Sequence, residues 1–331
     1  MDYKNIPVSL TLNRILIATD FSPAGHAAFE AAMQLCLSSN ASLYALNVFE
    51  YASITPPEFG GELLELDTFY QDAARSMDSL IQEARSRGVR CEGKIAGGVV
   101  HAAILDSVAS EGVGLVVLGT RAIHGFERLV FGSTAEAVLR RADCPVYTVG
   151  PQAASQEGQT APGNGSVVFA TDFHDTTTAV ISEAAEFALL LHLPLHCLHV
   201  LPRGAEDGNY KSVIPIIIME ALQHLAETLD RNFPPPTCAV TYGSEISNAI
   251  VEYARQHNAK LIVLGVRRAS LIQSHVPAHI AYRMIAEAPC PVLTMAFPLP
   301  AQAPRTISNT ALLKASQAGS ALARRSNDVL V

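Results

Sequence analysis

Residues 119–134, GTRAIHGFERLVFGST, leave an apolar run, pass two arginines and a histidine, and arrive at Gly132-Ser133-Thr134 just ahead of a helical pattern. A helix begun there offers unbonded backbone N–H groups and the positive end of its dipole, and Gly132 lets an anion approach the main chain closely. This is the chemistry a phosphate needs. Arg121, His124 and Arg128 are within chain reach of such a phosphate, and Thr19 or Asp20, at the end of an earlier apolar run, can hydrogen-bond a ribose or an adenine edge. Gly-Ser-Thr taken alone also fits a simple helix cap, with Gly119 closing a strand and the arginines solvated.

Other chemistries find less support. There is no G-x-x-x-x-G-K-[ST] loop, no Ser-Gly-Gly-x-Asp-Ser loop and no base beside a cluster of Mg2+ ligands. Slow ATP hydrolysis is the most that is expected, and no catalytic residue is assigned. His275 and His279 are four apart, but Pro277 between them breaks the helical spacing that a metal pair needs. His192, His196 and His199 read as satisfied or surface histidines, so no metal site is expected. Cys36, Cys91, Cys144, Cys197, Cys238 and Cys290 are widely spread, form no C-x-x-C pair, and read as reduced, mostly buried small hydrophobes.

The elements that would position these residues occur twice. RILIATDFSP from Arg14 returns as VVFATDFHD from Val167, GLVVLGTR from Gly114 as KLIVLGVR from Lys260, and DCPVYTV from Asp143 as PCPVLTM from Pro289. Asp20 and Asp172 are therefore equivalent, and Gly119 to Cys144 has the same spacing as Gly265 to Cys290. Short β-branched runs at 14–19, 43–48, 91–96, 114–119 and 144–149 alternate with helical patterns near 23–39, 62–87, 100–111 and 133–142. The second copy places strands near 166–171, 195–200, 237–242, 260–265 and 290–295. Alternation of this kind implies right-handed crossovers and parallel sheets. The expected fold is α/β, two tandem doubly wound domains, each a five-stranded parallel sheet with flanking helices.

Composition agrees with buried parallel strands: of 331 residues, 49% are hydrophobic and 16% charged. The net charge of −8 argues against a duplex nucleic-acid partner. MDYKNIPVSLTLNR carries no apolar signal region and no stretch suits a membrane span, so the expected compartment is the cytoplasm, with no membrane partner. The domains are expected at 1–150 and 166–297, joined by a linker, 151–165, and followed by a tail, 298–331, with one weakly amphipathic stretch. The apolar run VIPIIIM at 213–219 suits core packing better than an exposed contact, though both remain open.

These residues resemble the universal stress protein family, whose fold is Rossmann-like and similar to the adenine nucleotide alpha hydrolases. Ala18-Thr19-Asp20-Phe21-Ser22 resembles its opening strand and loop, LNVFE around Val48 its second-strand ending, and Gly119 through Ser133 its G-2x-G-9x-G-[S/T] nucleotide motif. The resemblance implies ATP, with or without Mg2+, bound in the first domain of a nucleotide-dependent stress regulator or sensor. Asp20 and Val48 would lie beside the adenosine, with Thr19 and Arg121 nearby. Gly119 and Gly132 would admit the phosphates, and Ser133 and Thr134 would bond them. Ala122 replaces the second glycine of the motif, with Gly125 three residues later. In the second copy Arg268, Ala278 and His279 stand at the second-glycine, third-glycine and serine positions, so one functional and one degenerate site are expected. A scaffold that binds proteins and no nucleotide is the alternative, its protein partner unnamed. Either a homodimer or a pairing of the two domains within one chain fits the resemblance.

Overall fold

A computed structural model describes residues 12–50, 62–120, 132–155, 165–173, 177–203, 213–267 and 277–297. The first copy runs β1 (Arg14–Ala18), α1 (Pro23–Ser39), β2 (Ser42–Phe49), α2 (Glu62–Ser86), β3 (Cys91–Gly97), α3 (Val100–Ser110), β4 (Leu115–Gly119), α4 (Ser133–Arg141) and β5 (Val146–Val149). After α5 (Pro151–Ser155), the second follows as β6 (Ser166–Ala170), α6 (Thr177–Leu191), β7 (Leu195–Pro202), α7 (Ile214–Ala226), β8 (Thr237–Gly243), α8 (Ile246–Gln256), β9 (Ala259–Arg267), α9 (Pro277–Glu287) and β10 (Val292–Phe297).

The inner strands β1, β4, β5 and β6 read as largely apolar runs because both faces of the sheet are covered there. Ile15 and Ile17 point into one core, shared with Phe29 of α1, Met77 of α2 and Phe187 of α6. Leu16, between them, points into the other, with Ile104 of α3, Val138 of α4 and Met284 of α9. The sheet order is β3-β2-β1-β4-β5-β10-β9-β6-β7-β8. All neighbours are parallel except β5 and β10, which pair antiparallel with Tyr147 opposite Leu293. The two five-stranded sheets thus join edge to edge into one of ten strands.

Close contacts secure this junction. A Cβ added to Gly150 would stand 1.8 Å from the Ile285 carbonyl oxygen, so only glycine lets the end of β5 meet α9. Arg140 Nε donates to Tyr282 Oη at 3.0 Å, and its guanidinium lies 6.0 Å from the centre of that ring. Arg140 is also paired with Glu136, one turn back, at 2.8 Å.

Two local differences from the sequence expectation have physical causes. The start of the expected linker is helical over Pro151–Ser155, because proline is well placed in a first helical turn and Ala153 is buried. In α7 the buried side chains are Leu222 and Leu225, toward its C-terminal end, whereas Val213, Ile216 and Ile217 are 48%, 58% and 44% exposed. Three residues of the apolar run therefore face outward, while Ile218 packs partly buried against the core. The tail 298–331 lies outside the described residues, and among those residues no helix is long and apolar enough to cross a membrane.

Candidate functional site

Within the first half, β1 and β4 are neighbours, while the crossovers from β1 lead outward to β2 and those from β4 lead inward to β5. This reversal is where an open parallel sheet leaves a crevice at its strand C-terminal ends. Thr19 and Asp20 follow β1, Val48 lies near the end of β2, Gly119 ends β4, and Gly132-Ser133-Thr134 opens α4. The fold therefore gathers seven of the eight expected site residues at one end of the sheet; Arg121, like Ala122, His124, Gly125 and Arg128, lies outside the described residues.

The turn after β1 is tightly held. Thr19 is buried; its N–H donates to Leu46 C=O at 3.0 Å and its hydroxyl accepts from Phe21 N–H at 3.0 Å. Phe21 takes φ 57°, a left-handed conformation rare for a large side chain. Asp20 is exposed and accepts from Ser22 N–H at 3.0 Å, and Ser22 in turn caps α1 by accepting from Gly25 N–H at 3.3 Å. Gly25 sits close below: a Cβ there would be 2.7 Å from the Thr19 hydroxyl. Asn47, absent from the sequence-based set, is buried and donates to the Thr19 carbonyl at 2.8 Å, tying the ends of β1 and β2 together. Its neighbour Val48 is half-buried against the α3 and α4 side.

The two motif glycines are used differently. A Cβ on Gly119 would come within 2.1 Å of the Ala24 carbonyl oxygen, so this glycine lets β4 close against the first turn of α1. Among the described residues nothing lies within 4 Å of a Cβ built on Gly132, and its φ of −61° suits any residue. Gly132 is the N-cap of α4 and supplies no side-chain cap. Glu136 N–H bonds back to Gly132 C=O at 3.0 Å, which leaves Ser133, Thr134 and Ala135 with no helical acceptor for their N–H groups. Three donors and a dipole end thus face the space above an exposed glycine.

The second half repeats the turn and changes its surroundings. Thr171 N–H donates to Leu198 C=O at 3.0 Å, its hydroxyl accepts from Phe173 N–H at 3.0 Å, and Phe173 takes φ 58°. His199 stands where Asn47 does and donates from Nδ1 to Thr171 C=O at 2.8 Å. Thr177 occupies the Gly25 position, and its hydroxyl shares a 3.2 Å hydrogen bond with that of Thr171. The helix equivalent to α4 begins at Pro277, one residue before the counterpart of Gly132. The proline removes one N–H donor, and the earlier start draws later ones into the helix. Residues 268–276, with Arg268 and His275, lie outside the described residues.

A cavity of about 590 Å3 opens between the start of α1 and α2, lined by Thr19, Phe21, His26, Arg75 and Ser79 among others. None of its lining comes from β2, β4 or α4, so it adjoins the crevice from the far side of the β1–α1 turn.

The chain is 28% identical over 145 residues to the universal stress protein YxiE of Bacillus subtilis, covering 41% of this chain and 98% of that one. A universal stress protein of Archaeoglobus fulgidus shares the fold over 87% of this chain and 99% of its own, with TM-score 0.63 at 19% identity. Another universal stress protein, solved in complex with cAMP, is 18% identical and covers 42% of this chain and 98% of its own, with TM-score 0.35. The universal stress protein family model matches residues 11–150 and again 163–295, so the chain belongs to the universal stress protein family and carries its domain twice.

Proposed function

We propose that the first half binds an adenine nucleotide, ATP with or without Mg2+, and that the chain acts as a nucleotide-dependent regulator or sensor in a stress response. The observation that carries this is the N-terminus of α4, where Gly132 supplies no side-chain cap and no described residue crowds it, across the crevice from the hydrogen-bonded Thr19–Asp20 turn. The residues fit the group. Ser133 and Thr134 would bond phosphate oxygens through backbone N–H and hydroxyl groups, and Arg121 would offset their charge. Asp20 and Val48 would flank the adenosine, while Asn47 holds Thr19 in register between them. Gly119 serves the site indirectly, by letting β4 approach α1. The nucleotide itself supplies the polyanion that an uncapped helix start stabilises.

The experiment is to denature the purified full chain, identify any released nucleotide by mass, and count it per chain beside a Gly132→Trp variant. One ATP or ADP per chain, lost in the variant, is expected. Two per chain would overturn the assignment of the second half as degenerate. None, with no binding of added ATP, would overturn the proposal and favour a protein-binding scaffold, for which the exposed Val213, Ile216 and Ile217 offer a surface.

A further inference from the structure

Two of the six cysteines, far apart in sequence, are brought together in the second half. β7 and β8 pair in parallel with Cys197 directly opposite Cys238. Directly opposed residues of neighbouring parallel strands point to the same face, and both sulfurs lie on the side covered by α6 and α7. Strands about 4.8 Å apart put the two Cα atoms inside the roughly 4.4–6.8 Å span of a disulfide. The two environments differ: Cys197 is fully buried, whereas Cys238 is half-buried on β8, the outermost strand of the sheet.

We propose that Cys197 and Cys238 form a peroxide-oxidised thiol pair, with Cys238 as the attacking sulfur and Cys197 as the resolving one. The Cys238 thiolate attacks a peroxide oxygen; an S–O bond forms, the O–O bond breaks, and hydroxide leaves to take up the proton that Cys238 released. The Cys197 sulfur then attacks the Cys238 sulfenic sulfur; the S–S bond forms, the S–O bond breaks, and the hydroxyl departs with the Cys197 proton as water. Two thiols are oxidised by two electrons while one hydrogen peroxide is reduced to two waters.

The electrostatics favour this division of labour. The interaction between the two neighbouring thiols lowers the pKa of Cys238 and, with burial, raises that of Cys197. Burial pushes Cys36 and Cys290 up to about 12, and Cys91 and Cys144 up to about 11. The first half has no counterpart, since Ala45 faces Gly93 there, and a Cβ on Gly93 would meet Met77 Sδ at 2.5 Å. The pair is independent of nucleotide binding in the first half.

The test treats the full chain with limiting hydrogen peroxide, counts free thiols after denaturation, and maps peptides. The expected result is joint loss of two thiols, a mass decrease of about 2 Da, and a Cys197–Cys238 linked peptide that a small dithiol reverses. Cys197→Ala should accumulate a dimedone-trappable sulfenic acid at Cys238, and Cys238→Ala should keep every remaining thiol. Cys91→Ala, a second buried-cysteine variant, controls for damage to the fold and should still form the link. Loss spread over the other cysteines, or thiol loss unchanged in Cys238→Ala, would overturn the proposal. So would no loss at peroxide levels that oxidise free cysteine.

Discussion

At the end of β1 the chain turns through Phe21 with φ 57°, and at the end of β6 it turns through Phe173 with φ 58°; in each turn a threonine hydroxyl accepts the N–H of that phenylalanine. The two helices that face these turns diverge. α4 starts after a glycine that no described residue crowds, and α9 starts on a proline. The turns thus share one backbone geometry in the two halves, while the helix starts that face them differ. Asn47 and His199 make the same point: different side chains deliver one donor to one carbonyl, because the strand ends must be tied whatever occupies the crevice.

The sharpest way to break this contrast is at the motif glycines. Gly119→Ala places a methyl group against the Ala24 carbonyl and should cost about 3 kcal/mol in urea unfolding. Gly132→Ala should change stability by less than about 0.5 kcal/mol, since no described residue crowds that position and its φ suits alanine. Equal costs would mean that both glycines serve packing. A smaller effect separates the two donors. Asn47→Ala leaves the Thr19 carbonyl without its side-chain partner and should cost about 1–3 kcal/mol, whereas His199→Asn should stay within about 0.5 kcal/mol. A large penalty for His199→Asn would show that the imidazole does more than replace an amide.

The smallest effects differ in sign. On α1, hydrogen bonds from Arg87 hold the Glu30 carboxyl below its ordinary value of 4.5. Its contribution is present above that value and is lost as pH falls through the lowered folded one. On α6, burial raises Glu183, with Glu186 adding to the shift, and Glu183 Oε2 has no hydrogen-bond partner among the described residues. Its stability contribution is complete below 4.5 and is lost as pH rises through the raised folded value. At pH 7, Glu30→Gln should therefore lower stability, by about 0.2–1 kcal/mol for a partly exposed pair. Glu183→Gln should raise it by about 0.5 kcal/mol. Both differences should shrink when the urea titrations are repeated at pH 4, and a shared sign at pH 7 would refute the contrast.

Much of this architecture was legible in the sequence because buried parallel strands need apolar runs and the chain repeats them in order. Gly119, Gly132 and the Asp20 turn were legible as residues gathered at one end of the sheet, but the packing role of Gly119 was not, since its obstacle is the carbonyl of a residue remote in sequence. Asn47 could have been found by comparing LNV with LHV for hydrogen-bond donors rather than for apolar pattern. The β5–β10 ladder left no local sign, because an edge strand that pairs with a second sheet has the same apolar composition as an interior one. Cys197 and Cys238 likewise become neighbours only when the strand register is known.

The Arg140 contact at the junction has a further consequence. Glu136 in α4 and Tyr282 in α9 occupy equivalent positions of the two copies, yet Arg140 pairs with one and hydrogen-bonds the other. In an assembly of two identical chains, every inherited change at the contact would appear on both sides of the axis and would have to suit itself. Joining the copies in one chain removes that constraint, so each side can vary alone. One copy can then retain a ligand crevice while the other acquires new chemistry.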